Sequence, residues 1–230
     1  MPVAPRTLAI VLVTLGGLSA GFLSYRDSRQ PASPIPAAPI PAAPIPASPL
    51  AAGTVRPIPD AVPDLRMPDL AGREKSLRDF LGRPLIINFW ATWCAPCRRE
   101  IPLLQQLRQA YHGDDLEIVG IALDFRADVA NYVRGRAVDY PLLIGEDRGL
   151  AAAEQFGMQT ALPFSVFADA QGRIVAVKIG ELHRDEADYI LGAMRAVAAG
   201  RMSLPEAQAG IAQRLRELAT ERARAGVKDS

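Results

Sequence analysis

The segment Leu85-Ile86-Ile87-Asn88-Phe89-Trp90-Ala91-Thr92-Trp93-Cys94-Ala95-Pro96-Cys97 passes from an apolar run directly into a cysteine pair. Leu85 to Trp90 is short, apolar and preceded by the breakers Gly82-Arg83-Pro84, the pattern of a buried strand. From Pro96 the spacing changes: Ile101, Leu104, Leu107 and Tyr111 fall on one face of a helix, which Gly113 is expected to close as a C-cap. The pair Cys94 and Cys97 therefore sits where a strand hands over to a helix. A thiol at that position faces the free N–H groups and the positive end of the helix dipole, which favour its thiolate. The thiolate is the nucleophile, so Cys94 is expected to attack and Cys97, one turn inside, to resolve the mixed disulfide. Pro96 fits the first helical turn, where its missing donor costs little. Trp93 flanks the pair.

The chain has no other cysteine. Two thiols cannot staple a disulfide scaffold or build a four-thiolate zinc site, and a mixed zinc site would need His112 and His183 from distant segments. Charge narrows the field further. With 26 Lys and Arg against 25 Asp and Glu, the net charge is +1, and no phosphate-neutralising surface for nucleic acid is expected.

Downstream, Leu116–Leu123 reads as a second buried strand, Ala127–Arg136 as helix and Tyr140–Ile144 as a short strand. Leu150–Phe156 reads as helix and Phe164–Ala168 as strand. Asp169-Ala170-Gln171-Gly172 reads as a hairpin turn, Arg173–Ile179 as its returning strand and Asp185–Ala199 as a closing helix. Upstream, Met67–Leu70 enters a turn at Ala71-Gly72, and Ser76–Phe80 reads as a short helix. Strands alternating with helices, then a hairpin and a last helix, predict an α/β fold whose mixed sheet is covered on both faces. Leu162-Pro163-Phe164 precedes a strand, and local preference favours a trans bond at Pro163.

Both ends differ in composition from this middle. Thr7 to Leu23 is uninterrupted by charge, and Ser24 and Tyr25 can complete a span at the interface, so residues 1–30 are expected to form an inner-membrane signal anchor through residues 7–25. Leu18-Ser19-Ala20 is a poor cleavage site because its first member is bulky. Residues 31–54 form a Pro/Ala-rich linker, with PASPIPAAPIPAAPIPASP over residues 31–49. Proline excludes helix and sheet there, and a polyproline II spacer reaching roughly 60 Å is expected. Residues 55–200 form the globular domain. Residues 201–230 form a C-terminal helical extension, opened by the capping-box spacing Ser203-Leu204-Pro205-Glu206. It is expected to pack loosely or stand off as an appendage.

The stretch from Asn88 to Glu100, with Pro102 after it, resembles the TlpA/ResA-like family of membrane-anchored thioredoxin-fold thiol–disulfide oxidoreductases. Ser76-Leu77, Gly120 to Asp124 and Leu162 to Phe167 match the same pattern, so the resemblance spans roughly residues 64–180. It implies a thioredoxin fold with a periplasmic catalytic domain. It also implies a dithiol kept reduced by a thiol-type membrane electron donor, and a cis Pro163 facing the cysteines. The redox-active Cys94–Cys97 disulfide is the only redox group implied; no further cofactor and no metal is expected. Extracytoplasmic proteins carrying disulfides are the implied substrates, in cytochrome c maturation or copper-site assembly. Two departures stand out. Ordinary thioredoxins carry a buried acid where this chain has Asn88. Glu100 matches an acid that some reductases of the family use to tune the pair; read locally, it is a solvated carboxylate favoured by the helix N-terminus. Phe164 follows Pro163 where the dedicated cytochrome c maturation branch tends to carry an acid.

The expected activity is reduction of protein disulfides. A copper-handling metallochaperone-like module using the same thiols is the alternative, told apart by stoichiometric Cu(I) binding without insulin reduction. A peroxiredoxin would need a threonine three residues before a lone peroxidatic cysteine, and Thr92 is two before Cys94.

Overall fold

The computed structural model describes residues 57–111, 116–136, 138–158 and 161–228, with side chains described up to residue 225. The anchor and linker expected over residues 1–54 lie outside that range, as do His112 and Gly113. Among the described residues no helix is long and apolar enough to cross a membrane.

Two short strands, β1 (Arg66–Pro68) and β2 (Glu74–Ser76), pair antiparallel and lead into a 3-10 turn at Leu77–Phe80. Ser76 caps that turn: its hydroxyl accepts from the Arg78 N–H, and the Asp79 carboxylate accepts from the Ser76 N–H. The main sheet follows. It contains β3 (Leu85–Trp90), β4 (Glu117–Ala122), β5 (Leu142–Ile144), β6 (Phe164–Ala168) and β7 (Ile174–Ile179), in the order β5-β4-β3-β6-β7. The β3–β4 and β4–β5 pairs are parallel, while β6 runs antiparallel to both β3 and β7. Parallel neighbours require crossovers, and these are supplied by α1 (Ala95–Ala110) and α2 (Arg126–Val133). The remaining helices are α3 (Glu146–Gln155), α4 (Arg184–Ala198) and α5 (Leu204–Lys228).

Period-two alternation sends the residues of β3 to opposite faces. Ile86 and Trp90 join a core formed with α1, α2, α4 and α5, while Leu85, Ile87 and Phe89 join one formed with α3 and the 3-10 turn. Every residue of β3 and β4 is buried, as expected of central strands covered on both sides. Phe89 stacks on Phe164 at 4.2 Å between ring centroids, tying β3 to the first residue of β6. Gly120 has a steric role: a Cβ there would lie 2.7 Å from Leu142 Cδ2 and 3.1 Å from the Trp90 indole nitrogen.

Residues 201–230 depart from expectation. α5 packs against α4 and β7, with Ala207, Ile211 and Leu218 buried along one stripe. The Gln208 amide donates to the carbonyl of Ile174 at 2.9 Å, and the backbone of Ile174 donates to Asp60. β7 is the edge of the sheet, and these groups occupy backbone positions that an uncovered edge leaves unpaired. The apolar stripe is narrow among many Arg and Glu residues, so its partner is visible only once the edge strand is in place.

Candidate active site

Cys94 is the N-cap of α1, in extended conformation, and its sulfur accepts from the Cys97 N–H at 3.3 Å. Pro96 occupies the first turn. Cys94 and Cys97 form a disulfide with a Cα–Cα distance of 5.3 Å. The two sulfurs differ in access. Cys97 is fully buried, whereas Cys94 is 5% exposed and lines a groove of about 610 Å³. Trp93, 69% exposed, stands at that groove's edge.

The loop before Cys94 is held by Asp124, just past β4. Its buried carboxylate accepts from the Thr92 N–H at 2.9 Å, the Thr92 hydroxyl at 2.6 Å and its neighbour Phe125 N–H at 2.9 Å. This fixes where the chain enters α1. Sequence reasoning placed Asp124 only as part of a family match; the available signal was an acid immediately after a buried strand.

Glu100 lies one turn beyond Cys97, an i,i+3 neighbour on α1. It is not solvated, as its local reading had it, but 1% exposed. The turn that would have put it in water is roofed by the segment between β7 and α4. Its carboxylate accepts from the Asn88 amide at 2.7 Å and from the Leu182 N–H at 2.8 Å. Burial pushes its pKa up to about 7; the two donors and the Lys178 charge oppose the rise, and Glu181 adds to it. Asn88 also donates to the Ser165 hydroxyl at 3.0 Å, which spends both its N–H groups and leaves its carbonyl oxygen without a partner among the described residues. Outside the pocket, Arg99 forms a fork to Glu181, the residue before Leu182. Leu182 was not anticipated and Ser165 entered only as part of the family match, because neither touches the motif in sequence.

The Leu162–Pro163 bond is cis, as the resemblance implies and against the local preference. That preference is only about 0.5–1 kcal/mol, small enough for tertiary packing to override. Leu162 and Phe164 line the same groove as Cys94. His183 caps α4 with its backbone N–H, which donates to Glu186 at 3.0 Å.

A sulfur pair at the start of a helix, one member facing a groove and the other sealed beneath it, on a sheet of this order, is the site of a thioredoxin-fold thiol–disulfide oxidoreductase. The chain belongs to the AhpC/TSA family, whose model matches residues 58–177. It is 31% identical over 131 residues to the thiol-disulfide oxidoreductase ResA of Bacillus anthracis, an alignment covering 56% of this chain and 73% of that protein. It is also 31% identical over 133 residues to the thioredoxin-like protein YneN of Bacillus subtilis, covering 56% and 75%. Among solved structures, a thiol:disulfide interchange protein of the thioredoxin family from Chlorobium tepidum TLS superposes with a TM-score of 0.52 at 29% identity, covering 58% of this chain and 94% of that one.

Proposed function

We propose that this chain reduces disulfides in other proteins on the outer side of an inner membrane, with Cys94 attacking and Cys97 resolving. The observation that carries the reading is the unequal access of the two sulfurs: Cys94 lines the groove and Cys97 does not. In the dithiol form, the Cys94 thiolate attacks one sulfur of the substrate disulfide. The other substrate sulfur leaves as a thiolate and takes up a proton. Cys97 then loses its proton and attacks the Cys94 sulfur, and the second substrate thiolate leaves and is protonated in turn. Two electrons and two protons have passed to the substrate, and the Cys94–Cys97 disulfide remains.

The helix N-terminus favours the thiolate at Cys94. Glu100, buried beside Cys97 with its pKa near 7, is suited to take and return the Cys97 proton at neutral pH. Trp93 and Pro96 line the groove on which the substrate's backbone lies, and the cis Pro163 joins Leu162 and Phe164, which line it too. No redox group beyond the disulfide enters the cycle. A thiol-type membrane donor restores the dithiol, and the apolar residues 7–25 with the Pro/Ala spacer 31–54 tether the domain. Cytochrome c maturation or copper-site assembly is the setting that the family resemblance suggests.

Replacing Cys94 with Ser is expected to reduce insulin-disulfide turnover to background with the circular dichroism spectrum unchanged; turnover retained in that variant sinks the assignment. Cys97→Ser is expected to trap a mixed disulfide on Cys94. A midpoint potential near about −270 mV supports a reductase, and one near about −120 mV indicates an oxidant instead.

A further inference from the structure

The groove beside Cys94 is apolar along most of its lining, including Leu123, Leu150, Met158 and Phe164. The charged side chains in that lining are Glu146 and Asp147, in the first turn of α3. Both are exposed, and among the described residues neither forms an ion pair or a side-chain hydrogen bond. The cation that follows them, Arg148, is turned away: its guanidinium bonds Glu74 and the carbonyl of Arg66. Arg98 and Arg99, near Cys94 in sequence, lie on α1 and line no part of the groove. The reactive sulfur thus opens onto an apolar surface whose fixed charge has one sign. A helix N-terminus explains why acids are tolerated there. What that fixed charge does to a substrate follows from where the two acids sit, on the same wall system as Cys94.

We propose that Glu146 and Asp147 set substrate specificity: the groove takes an extended segment of a disulfide-bearing protein that carries a Lys or Arg a few residues from the reacting cysteine, with apolar residues beside it. This rests on the reading of Cys94 as the attacking sulfur. The occupant is a polypeptide because an open groove of about 610 Å³ with an exposed indole at its rim offers apolar area along a chain. It is cationic because a like-signed partner would set its charge against two unpaired carboxylates, whereas a cation gains from both. Exposed pairs of this kind contribute about 0–1 kcal/mol each and are screened by salt, so the expected discrimination is about fivefold and disappears as ionic strength rises.

The test uses the full chain, reduced beforehand, and three cystine peptides with apolar flanks that differ at one position three residues from a cysteine: Lys, Gln or Glu. Rates of disulfide reduction are measured at low and high salt. The wild-type protein is expected to reduce the Lys peptide about fivefold faster than the Glu peptide at low salt, with the Gln peptide between them. The double variant Glu146→Gln/Asp147→Asn is expected to lose that preference, and Glu146→Lys/Asp147→Lys to invert it; thermal melts confirm that both are folded. Equal rates for the Lys and Glu peptides in a wild-type protein that does reduce the Gln peptide overturn the specificity proposal and leave the thiol reading standing. A preference that survives in the neutral double variant also overturns it. If no peptide is reduced, both fall together.

Discussion

Two carboxylates in this domain are equally hidden, Glu100 and Glu186 each being 1% exposed, yet they are surrounded in opposite ways. Glu186, on α4, faces two cations: Arg222 of α5 at 2.7 Å and Lys178 of β7 at 3.5 Å, with the His183 N–H as a further donor. Among the described residues Glu100, on α1, is hydrogen-bonded only by neutral donors, the Asn88 amide and the Leu182 N–H. Burial raises its proton affinity, and these donors oppose the rise without cancelling it, so its pKa stands at about 7. Burial alone therefore does not set what a buried acid does. Ion pairs with Arg222 and Lys178 make Glu186 a structural tie between the last two helices, while Glu100, hydrogen-bonded to neutral groups, is a group that gains and loses a proton near neutrality, one turn from Cys97.

The largest expected effect tests the structural side of this contrast. Glu186→Ala leaves the largely buried Lys178 without its anion, while Arg222 keeps only Asp185, and breaking a buried pair in this way costs about 4 kcal/mol. Urea denaturation is expected to show the loss as a lower midpoint. A loss under about 1 kcal/mol would place Glu186 among ordinary surface ion pairs and break the comparison.

The next effect belongs to Glu100 and depends on pH. The unfolded chain releases this proton near 4.5 and the folded chain holds it to about 7. The contribution to stability is complete below about pH 4.5, is lost as pH rises through 7 and then levels off, a change on the order of 3 kcal/mol. Glu100→Gln keeps the site neutral and is expected to remove this slope from stability measured between pH 4.5 and 8. It is also expected to remove a titration near pH 7 from the rate of disulfide reduction. A wild-type profile already flat over that range would show the acid to be ionised throughout.

The smallest effect comes from the other end of the tie. Arg222 is one-third exposed and Lys178 stays beside Glu186 in its absence, so Arg222→Ala is expected to cost about 1 kcal/mol. Activity at neutral pH is expected to stay within about twofold, since α5 supplies no residue to the groove that Cys94 lines. A loss of activity larger than the loss of stability would join α5 to the site.

The comparison also marks what could be read before the fold was known. The elements around the cysteines were legible because their signals are local: a short apolar run between breakers, then apolar residues at helical spacing. Cys94 at the N-cap and Pro96 in the first turn follow from the same few residues. α3 was read as starting at Leu150, whereas it begins at Glu146. Its first turn carries two acids and no apolar residue, so periodicity had nothing to register there. α5 was recognised as a helix but not as part of the core, because the surface that buries Ile211 and Leu218 belongs to strands and helices elsewhere in the chain.

By itself the sequence determined the α/β order of elements, the position of the cysteine pair at a strand–helix junction and the chemistry open to two thiols three residues apart. All of these rest on interactions within a turn or a strand. Only the tertiary structure decided that Cys94 lines the groove while Cys97 is sealed and that Glu100 is buried, and it set the cis bond at Leu162–Pro163, which the resemblance implied, against the local preference. The reason is sequence distance. Glu100 is bonded by Asn88 from 12 positions away and by Leu182 from 82, and Asn88 in turn reaches Ser165 across 77. A carboxylate's proton affinity depends on the solvent and donors around it, and those neighbours exist only after β3, β6 and the segment leading into α4 have closed over the start of α1.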